Sequence, residues 1–494
     1  MNILSDRFSE IKKASEPLYR TPKSVQEIVE ILKISEGGIF EVAEGRYSKT
    51  YRFSDVNYAT RTENEQESFF QKYCKCLNSF DCTFKITVNN KNRDMETLRN
   101  EVMLGLRNDG FDDMRESYNR IIEEKILEGR QGIEQERYIT VTVKRKNFEE
   151  AKAQFATIES TMFKSFAELG SRLTPLSGNE RLRILHDYYR LGREDEFNFD
   201  IKKGRITGTD FINEICNSSI KYYPNCFEDE GKVGRVLFIK KYPTYLSDRF
   251  FTELTFLPVH SITSVDVVPV PKDLTMKMLQ KKYLGIESDI IKQQRTRNRN
   301  NDFSSDISYA TRQKKRDIEE IMNNVRENDE SLFYVSVTMI VMAESRKELN
   351  SICKTIDSIA KGAGCAVDTC MYKQREAVNT TLPIGVRQIE TMRTMLTQSL
   401  AVLMPFNVQE LCDRDGIYYG VNQISRNIIV GNRKKLLNGN GFIFGVSGAG
   451  KSFQAKMEMG SVLLSTDDNV IAVDPMNGAK RSYLKRVGAI FIKL

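Results

Sequence analysis

The residues best suited to chemistry lie close together in the run Gly445-Val446-Ser447-Gly448-Ala449-Gly450-Lys451-Ser452. Small residues let the main chain approach a bound anion, so that several backbone N–H groups point at phosphate oxygens. Lys451 supplies a positive charge for the β and γ phosphates, and the Ser452 hydroxyl is suited to bind Mg²⁺. The spacing therefore predicts a phosphate-binding loop for ATP and Mg²⁺. The alternative is a chance match to a short pattern.

The predicted site follows from this pattern. Nucleotide contacts are assigned to Gly445, Val446, Ser447, Gly448, Ala449, Gly450, Lys451, Ser452 and Phe453. Lys451 is the candidate catalytic residue because its ammonium group reaches the phosphates between which the bond breaks. Ser452 is the candidate Mg²⁺ ligand.

Two elements must position this loop. Phe442-Ile443-Phe444 reads as a short buried strand before it, and apolar residues at helical spacing predict a helix from Lys451 to Ser465 after it. The pyrophosphate would then lie at the positive end of that helix. Further apolar runs at 470–473 and 489–494 read as parallel strands, so residues 416–494 are predicted to begin an α/β domain.

Asp474 follows the apolar run Val470–Val473 directly. An acid at the carboxyl end of a parallel strand suits a Walker B aspartate, which holds the metal. The alternative is a strand-end residue that merely lies beside the nucleotide, since no glutamate follows to orient water.

Composition permits several partners without requiring one. The 494 residues contain 74 Lys and Arg against 67 Asp and Glu, a formal charge of +7. This mild excess is compatible with nucleic acid or an anionic membrane. The longest apolar run, Phe333–Ala343, is too short to cross a bilayer, and the polar start at Met1–Lys13 does not resemble a signal peptide. We therefore expect a cytoplasmic protein that reaches the membrane through partners.

The nine cysteines are scattered, and Cys74, Cys76 and Cys82 form the only tight group. Their spacing is not that of zinc ligands, and the chain has two histidines. We expect structural or free thiols here, with a metal site as the alternative.

The first part of the chain alternates strand and helix patterns. Helices are predicted within Phe8–Ile34, so residues 1–36 form an N-terminal helical segment and residues 37–415 an α+β domain. Further strands are predicted at 38–42, 47–53, 84–88, 236–239 and 262–268, and helices at 63–77, 179–191 and from 308.

One pattern occurs twice. A strand at 138–143 precedes the helix-start signature Asn147-x-x-Glu150 and a helix to Gly170, and a strand at 332–342 precedes Ser345-x-x-Glu348 and a helix to Gly362. A further strand is predicted after each unit, at 171–175 and at 365–372. The pattern predicts an α+β module with duplicated β-α-β halves. A chance resemblance between two common units is the alternative.

The stretch Lys292–Arg299 carries Lys292, Arg295, Arg297 and Arg299 among glutamine and asparagine. These cations could contact nucleic acid phosphates. We favour a solvated loop leading into the helix near Ser308, because no aromatic residue interleaves with the cations to stack on bases.

A longer series of motifs resembles one protein family. It is made of Leu403–Asn407, Gly416–Asn422, Asn440–Ser452 and Val470–Pro475, together with Gly45–Tyr58 and Tyr73–Asp81 near the start. In this order the motifs resemble the conjugal-transfer ATPases of type IV secretion systems. This is the CagE/TrbE/VirB group, and the likeness is greatest to members from Gram-positive mobile elements. The resemblance covers nearly the whole chain.

The resemblance implies a function. Members of this group are ATPases at the cytoplasmic face of the membrane that energise channel assembly and the movement of DNA or protein. It implies a docking N-terminal domain and a RecA-like P-loop domain that works in oligomers, usually hexamers. The implied partners are membrane-channel proteins of the secretion system, further copies of the chain, and single-stranded DNA or a relaxase–DNA complex. Lys451 and Ser452 inherit the nucleotide and Mg²⁺ roles.

The sequence departs from the family in two ways. Asp474-Pro475 is followed by Met476 and Asn477, where the family commonly has a polar pair with an acidic residue. The family's Walker B carboxylates, polar sensor and arginine finger would also lie beyond Leu494. We therefore expect a chain truncated shortly after the Walker A loop, which binds ATP weakly and hydrolyses little by itself.

Three functions follow as hypotheses. The first is an ATP-binding subunit that supports assembly or energising of a type IV secretion channel during conjugation. The second is a non-catalytic scaffold subunit of the same complex. The third is a DNA translocase, which would require strand binding.

Overall fold

The structure is a computed structural model that describes residues 28–92, 95–128, 133–217, 219–243, 245–299, 309–327, 329–413, 416–423, 427–473 and 490–492. The chain has an α+β fold built on one large antiparallel sheet with helices packed on it. This is the fold class that the alternating patterns of the sequence predict.

The strands are β1 (Lys33–Ile34), β2 (Ile39–Ala43), β3 (Arg46–Phe53), β4 (Thr83–Asn92), β5 (Ile133–Lys144), β6 (Leu173–Pro175), β7 (Ile220–Tyr222), β8 (Phe227–Asp229), β9 (Lys232–Lys241), β10 (Ser261–Val270), β11 (Leu332–Ala343), β12 (Ala366–Thr369), β13 (Arg393–Leu396), β14 (Ile417–Val421), β15 (Ile428–Gly431), β16 (Ile471–Val473) and β17 (Ile490–Ile492).

The helices are α1 (Glu63–Asn78), α2 (Met95–Val102), α3 (Asp112–Glu128), α4 (Phe148–Glu168), α5 (Gly178–Tyr189), α6 (Ile201–Thr207), α7 (Phe211–Ile215), α8 (Arg249–Thr255), α9 (Lys272–Arg299), α10 (Tyr309–Glu327), α11 (Arg346–Gly362), α12 (Gln374–Thr381), α13 (Thr397–Ala401) and α14 (Lys451–Ser465). Short 3-10 turns span Glu194–Glu196 and Arg433–Lys435.

The order of strands in the large sheet is β1-β2-β3-β5-β4-β10-β11-β9-β8-β7. Three further strands pair outside this path: β6 with β3, β12 with β9, and β13 with β11. The two central strands, β4 and β10, are antiparallel with Val265 opposite Ile86. Outward from β4 the strands are β5, β3, β2 and β1, and outward from β10 they are β11, β9, β8 and β7. The two sides of the sheet therefore have matching strand orders.

The two helix-start signatures both form caps. Asn147 Oδ1 accepts a hydrogen bond of 2.9 Å from the N–H of Glu150 at the start of α4. Ser345 Oγ accepts one of 3.2 Å from the N–H of Glu348 at the start of α11. Each bond satisfies one of the backbone donors that a helix leaves free in its first turn. Both predicted helices are therefore present with their predicted starts.

The structure differs from the sequence predictions in the described end of the N-terminal segment and in the stretch Lys292–Arg299. Residues 1–27 of the predicted N-terminal helical segment lie outside the described residues, and its described end forms β1, where Lys33 lies opposite Glu41. The stretch Lys292–Arg299 is not a loop but the last turns of α9. The stretch contains no glycine or proline, so no residue there ends a helix.

The sheet is buried on both faces. One face carries Phe84, Val141, Val265 and Val337 and is covered by α1, α4 and α11. The other face has apolar side chains toward its ends, such as Phe40 and Val236, and these pack with α5 and α12. The middle of this second face is polar, which is unusual for a buried sheet surface.

The polar middle consists of the buried residues Ser48, Thr50, Lys85, Thr87, Thr140, Ser264, Asp266 and Thr338, with the half-buried Thr142 beside them. Residues 380–387, here called the strap, cross it and supply backbone acceptors. Ser48 Oγ donates to the carbonyl of Ile384 at 2.6 Å, and Ser264 Oγ donates to that of Thr381 at 2.5 Å. Burying a hydroxyl without a hydrogen-bond partner costs free energy. The carbonyls of the strap offset this cost for the hydroxyls that they bind.

Two buried cations also bind the strap. Lys85 Nζ donates to the carbonyls of Thr380, Leu382 and Val386. Arg181 donates to the carbonyl of Pro383 at 3.3 Å. Burial lowers the pKa of Lys85 to about 8, partly offset by the nearby carboxylate of Asp266.

Gly385 allows the strap to lie this close to the sheet. Its φ of +87° is in the left-handed region, and a Cβ there would lie 2.6 Å from Thr142 Oγ1 and 2.7 Å from Ser48 Cβ.

We expect Gly385→Ala to lower the free energy of unfolding by about 2 kcal/mol or more, because backbone strain and steric overlap add. Urea unfolding checks this. The control is Gly362→Ala at the end of α11, where a Cβ meets nothing within 4 Å; equal effects of the two variants contradict the prediction.

The pKa of Lys85 predicts a pH dependence. The unfolded chain, with a lysine pKa of 10.5, holds more protons than the folded chain between pH 8 and 10.5. Stability contributed by this residue must therefore rise with pH across that window. We expect the wild-type protein to gain stability relative to Lys85→Met between pH 7.5 and 9.5, as measured by urea unfolding. A difference that stays constant with pH contradicts the expectation.

Candidate nucleotide-binding site

The glycine-rich loop adopts a backbone that its glycines make possible. Gly448 and Gly450 have φ values of +83° and +87°, in the left-handed region that disfavours other residues. Gly450 caps α14, and its carbonyl accepts a bond of 2.9 Å from the N–H of Gln454. The helix begins at Lys451 and ends at Ser465, the bounds that the sequence predicts. The free N–H groups of its first turn thus lie next to the loop.

Lys451 folds back over this loop. Its Nζ donates to the carbonyls of Gly445 and Val446, at 2.8 Å each. Gly445 lies close to Ala449: a Cβ added at position 445 would be 3.2 Å from the Cβ of Ala449. The ammonium group is therefore held where an anion cradled by the loop amides would meet it.

The structure does not form the strand predicted before the loop. Phe442 and Phe444 are 82% and 87% exposed, and their rings stack with centroids 5.8 Å apart. Among the described residues no strand pairs with this segment, so it gains neither ladder hydrogen bonds nor a covering layer. Phe453, on the first turn of α14, is also 69% exposed. The aromatic residues around the loop thus lie at the surface.

A cluster of side chains joins α14 to the hairpin formed by β14 and β15. Arg433 donates from Nε to the Tyr419 hydroxyl at 3.0 Å and pairs through Nη2 with Glu458 at 2.6 Å. The Tyr419 hydroxyl donates to the same carboxylate at 3.1 Å. Arg433 also lies against the chain leading into the loop, since a Cβ on Gly441 would be 2.8 Å from its Nη1. The cluster fixes the second turn of α14 relative to the entry of the loop.

Two arginines from the segment between β4 and β5 bind the other end of α14. Arg115 Nε donates to the carbonyl of Leu464 at 3.2 Å, and Arg107 Nη2 donates to that of Ser465 at 2.9 Å. The last carbonyls of a helix have no partner within it and carry partial negative charge, so cations are favourable there. These contacts connect the predicted nucleotide-binding segment to residues more than three hundred positions earlier.

Arg115 is itself held in place. Its side chain is 1% exposed and pairs with Asp109 at 2.6 Å and Asp112 at 2.7 Å. The hydrogen bond from Arg115 lowers the pKa of Asp109 to about 2. Both acids stay ionised at neutral pH, so the guanidinium group is fixed in its position at the end of α14.

Apolar packing completes this contact. Tyr118 and Ile122 of α3 and Val102 of α2 pack with Ile428 and Val430 of β15. The helices α2 and α3, which lie between β4 and β5 in the chain, thereby cover one side of the β14–β15 hairpin. The sequence contains no local signal for this contact, because its partners are distant along the chain.

The strands beyond α14 are described only in part. The strands β16 and β17 pair in parallel, with Ile471 opposite Ile490, in agreement with the two predicted strands there. Asp474 lies outside the described residues, which stop at 473 and resume at 490.

Other candidate sites receive no support as metal centres. Within the described ranges, no group of three or more His, Cys, Asp or Glu side chains could hold a metal ion. Burial raises the pKa of Cys74, Cys76 and Cys82 to about 12, so these thiols stay protonated. No helix in the described part of the chain is both long and apolar enough to span a bilayer.

The described chain thus combines a large antiparallel α+β sheet with a glycine-rich loop that leads into a helix. A scan against protein-family models finds no match to the sequence, and a search of curated proteins finds no significantly similar one. The likeness to conjugal-transfer ATPases therefore depends on the motifs quoted above.

The anchoring of α14 can be tested with one arginine. Arg115→Ala removes the donor to Leu464 and leaves Asp109 and Asp112 without their cation. We expect amide exchange in the last turn of α14 to become about tenfold faster, measured by hydrogen–deuterium exchange. The control is Arg120→Ala, on an exposed position of the same helix α3. Unchanged exchange in the Arg115 variant contradicts the anchoring role.

Proposed function

We propose that the chain binds ATP with Mg²⁺ through the loop Gly445–Ser452 and the first turn of α14. The observation that carries this proposal is the backbone of the loop. Two left-handed glycines turn the chain directly into a helix that begins at Lys451. This arrangement gathers backbone donors, the helix dipole and one ammonium group around one point, which suits a triphosphate. Ser452 follows Lys451 and is exposed, so its hydroxyl is available to Mg²⁺.

The same proposal includes a duplicated β-α-β module and the beginning of a RecA-like domain. The two halves of the large sheet match in strand order, in the helix caps and in the short strands β6 and β12 that follow α4 and α11. Each half also carries a pair of helices between its two inner strands, α2–α3 and α9–α10. A duplicated β-α-β module accounts for these matches, since independent origins would have to reproduce them separately. The loop segment with β16 and β17 would then begin a RecA-like domain.

These features support a role as an ATPase subunit of a conjugative type IV secretion system. The α+β domain would dock on channel proteins at the cytoplasmic face of the membrane, and the loop segment would bind nucleotide. The contacts of Arg107 and Arg115 with the end of α14 give such a subunit a direct connection between its two parts. Self-association and transport of single-stranded DNA or a relaxase–DNA complex are part of the same proposal.

Nucleotide binding is tested with Lys451→Ala. The variant loses the ammonium group that would contact the β and γ phosphates, and we expect its affinity for ATP·Mg²⁺ to fall at least about tenfold. Fluorescence titration with a labelled ATP analogue measures this. Lys456→Ala is the matched control, because it removes an exposed lysine from the same helix. If wild type and both variants bind alike, or none binds, the loop is not the nucleotide site.

The scaffold hypothesis predicts a different result for the same variants. If the chain is a scaffold subunit, the wild-type protein and the Lys451→Ala variant would co-purify with channel proteins equally well. An ATP-dependent subunit would lose at least part of that association, or the assembly that follows it. Comparing the two proteins in cells that express the channel separates the hypotheses.

A further inference from the structure

The helices α9 and α10 form an arm, defined here as Lys272–Arg299 with Tyr309–Glu327. At its base, Leu279 and Val325 are buried, and Met278 receives a contact of 3.7 Å from the Tyr334 hydroxyl. Beyond the base the helices pack on each other, where Lys315 pairs with Glu287 at 3.1 Å. A helix of 28 residues is about 42 Å long. The arm is therefore anchored at one end, and its two helices contact each other near the middle of α9.

One face of α9 is turned away from these contacts. It carries Lys277, Lys281, Leu284, Ser288, Ile291 and Arg295, here called the stripe. At 3.6 residues per turn these positions fall within about 80° of arc and extend for about 27 Å. All six side chains are exposed, whereas the residues that face α10 or the base, such as Tyr283 and Glu287, are partly buried.

The stripe combines exposed aliphatic side chains with cations. Leu284 is 63% exposed and Ile291 is 49% exposed, one above the other on the same face. Three cations accompany them in the stripe, and one acid, Asp273, lies on the same face one turn before Lys277. A lysine or arginine beside exposed aliphatic side chains can lay its stem along them and hold its cation at the anionic headgroups of a lipid surface.

The two helix pairs of the sheet differ in what covers them. The pair α2–α3 is covered by the β14–β15 hairpin, through Tyr118 and Ile122 among others. The pair α9–α10 occupies the corresponding place between β10 and β11, yet its outer face is exposed. The stripe is therefore the uncovered surface of an element whose counterpart has a partner.

We propose that the stripe binds an anionic lipid surface directly. Leu284 and Ile291 would enter the headgroup region, and Lys277, Lys281 and Arg295 would pair with lipid phosphates and carboxylates while their aliphatic stems stay against the apolar zone. Nucleic acid fits less well, because two aliphatic side chains would face its phosphates and the stripe has no aromatic residue for stacking. A second copy fits less well, because the cations of two stripes repel each other. The proposal is independent of nucleotide binding.

Sedimentation with vesicles tests the proposal. Wild-type protein is mixed with phosphatidylcholine vesicles with and without phosphatidylserine, at low and high salt. We expect binding only to the vesicles that contain phosphatidylserine, weakened by salt because the attraction is partly screened. Failure to bind these vesicles overturns the proposal. Lys451→Ala protein should bind as wild type does, which separates this result from the proposed nucleotide site.

Two pairs of substitutions locate the binding surface. Lys281→Gln with Arg295→Gln should weaken binding by about fivefold for each cation removed, and Leu284→Ser with Ile291→Ser should weaken it further. The controls are Lys282→Gln, an exposed lysine of α9 outside the stripe, and Ile206→Ser, an aliphatic residue 86% exposed on α6. Circular dichroism of each variant verifies that the helices are retained. Equal binding by stripe and control variants overturns the proposal.

Two alternative occupants give distinct results. Stripe-dependent binding of a single-stranded oligonucleotide without vesicle binding would assign the stripe to nucleic acid. Stripe-dependent dimers in sedimentation velocity without vesicle binding would assign it to a second copy. Either result overturns the lipid assignment.

Discussion

The buried polar surface in the middle of the sheet depends on the backbone of the strap, residues 380–387. Hydroxyls and two cations lie between packed layers, where each needs a hydrogen-bond partner to offset the loss of water. The strap can supply them because it begins with the last residues of α12, whose final carbonyls have no partner within the helix, and continues as a turn that lies against the sheet. Ser48 belongs to the first half of the sheet and Ser264 to the second, and both donate to the same strap. The strap therefore holds the two halves together across β4 and β10.

This constraint also determines what the rest of the sheet can carry. With the central strands fixed, the segments inserted between the inner strands project from a rigid base, and both are helix pairs. The first pair, α2–α3, contacts the segment that carries the glycine-rich loop. Arg115 binds the end of α14, and Tyr118 packs with the β14–β15 hairpin. The second pair is the arm with its basic and aliphatic stripe. The helix pair between β4 and β5 thus makes an internal contact, whereas the pair between β10 and β11 presents an outward surface.

The position of α14 links the candidate site to the sheet. Its first turn lies beside the glycine-rich loop, its second turn is bound by Arg433, and its last turn is bound by Arg107 and Arg115. The same helix therefore contacts the glycine-rich loop at one end and the α2–α3 segment at the other.

Much of this fold was predictable where its causes are local. The spacing of apolar residues placed β5, β11, α4 and α11, and the Asn147 and Ser345 signatures placed the helix starts, because each depends on residues within about one turn. The bounds of α14 were predicted for the same reason. The strand at Phe442–Phe444 was wrong, since an apolar run forms a strand only where a neighbour pairs with it. The polar composition of Lys292–Arg299 favours a loop, whereas the structure continues α9 through it, because the stretch contains no helix breaker.

The sequence by itself determined the chemistry of the candidate site: which residues are small enough to form the loop, where the ammonium and hydroxyl groups stand, and where the helix begins. These properties depend on backbone conformation and spacing over a few residues. Only the tertiary structure decided what holds that site and what covers the sheet. The strap meets strands that precede it by up to 336 residues, and Arg115 meets a carbonyl 349 residues later. No local pattern encodes such partners, because their nearness results from the packing of the whole chain.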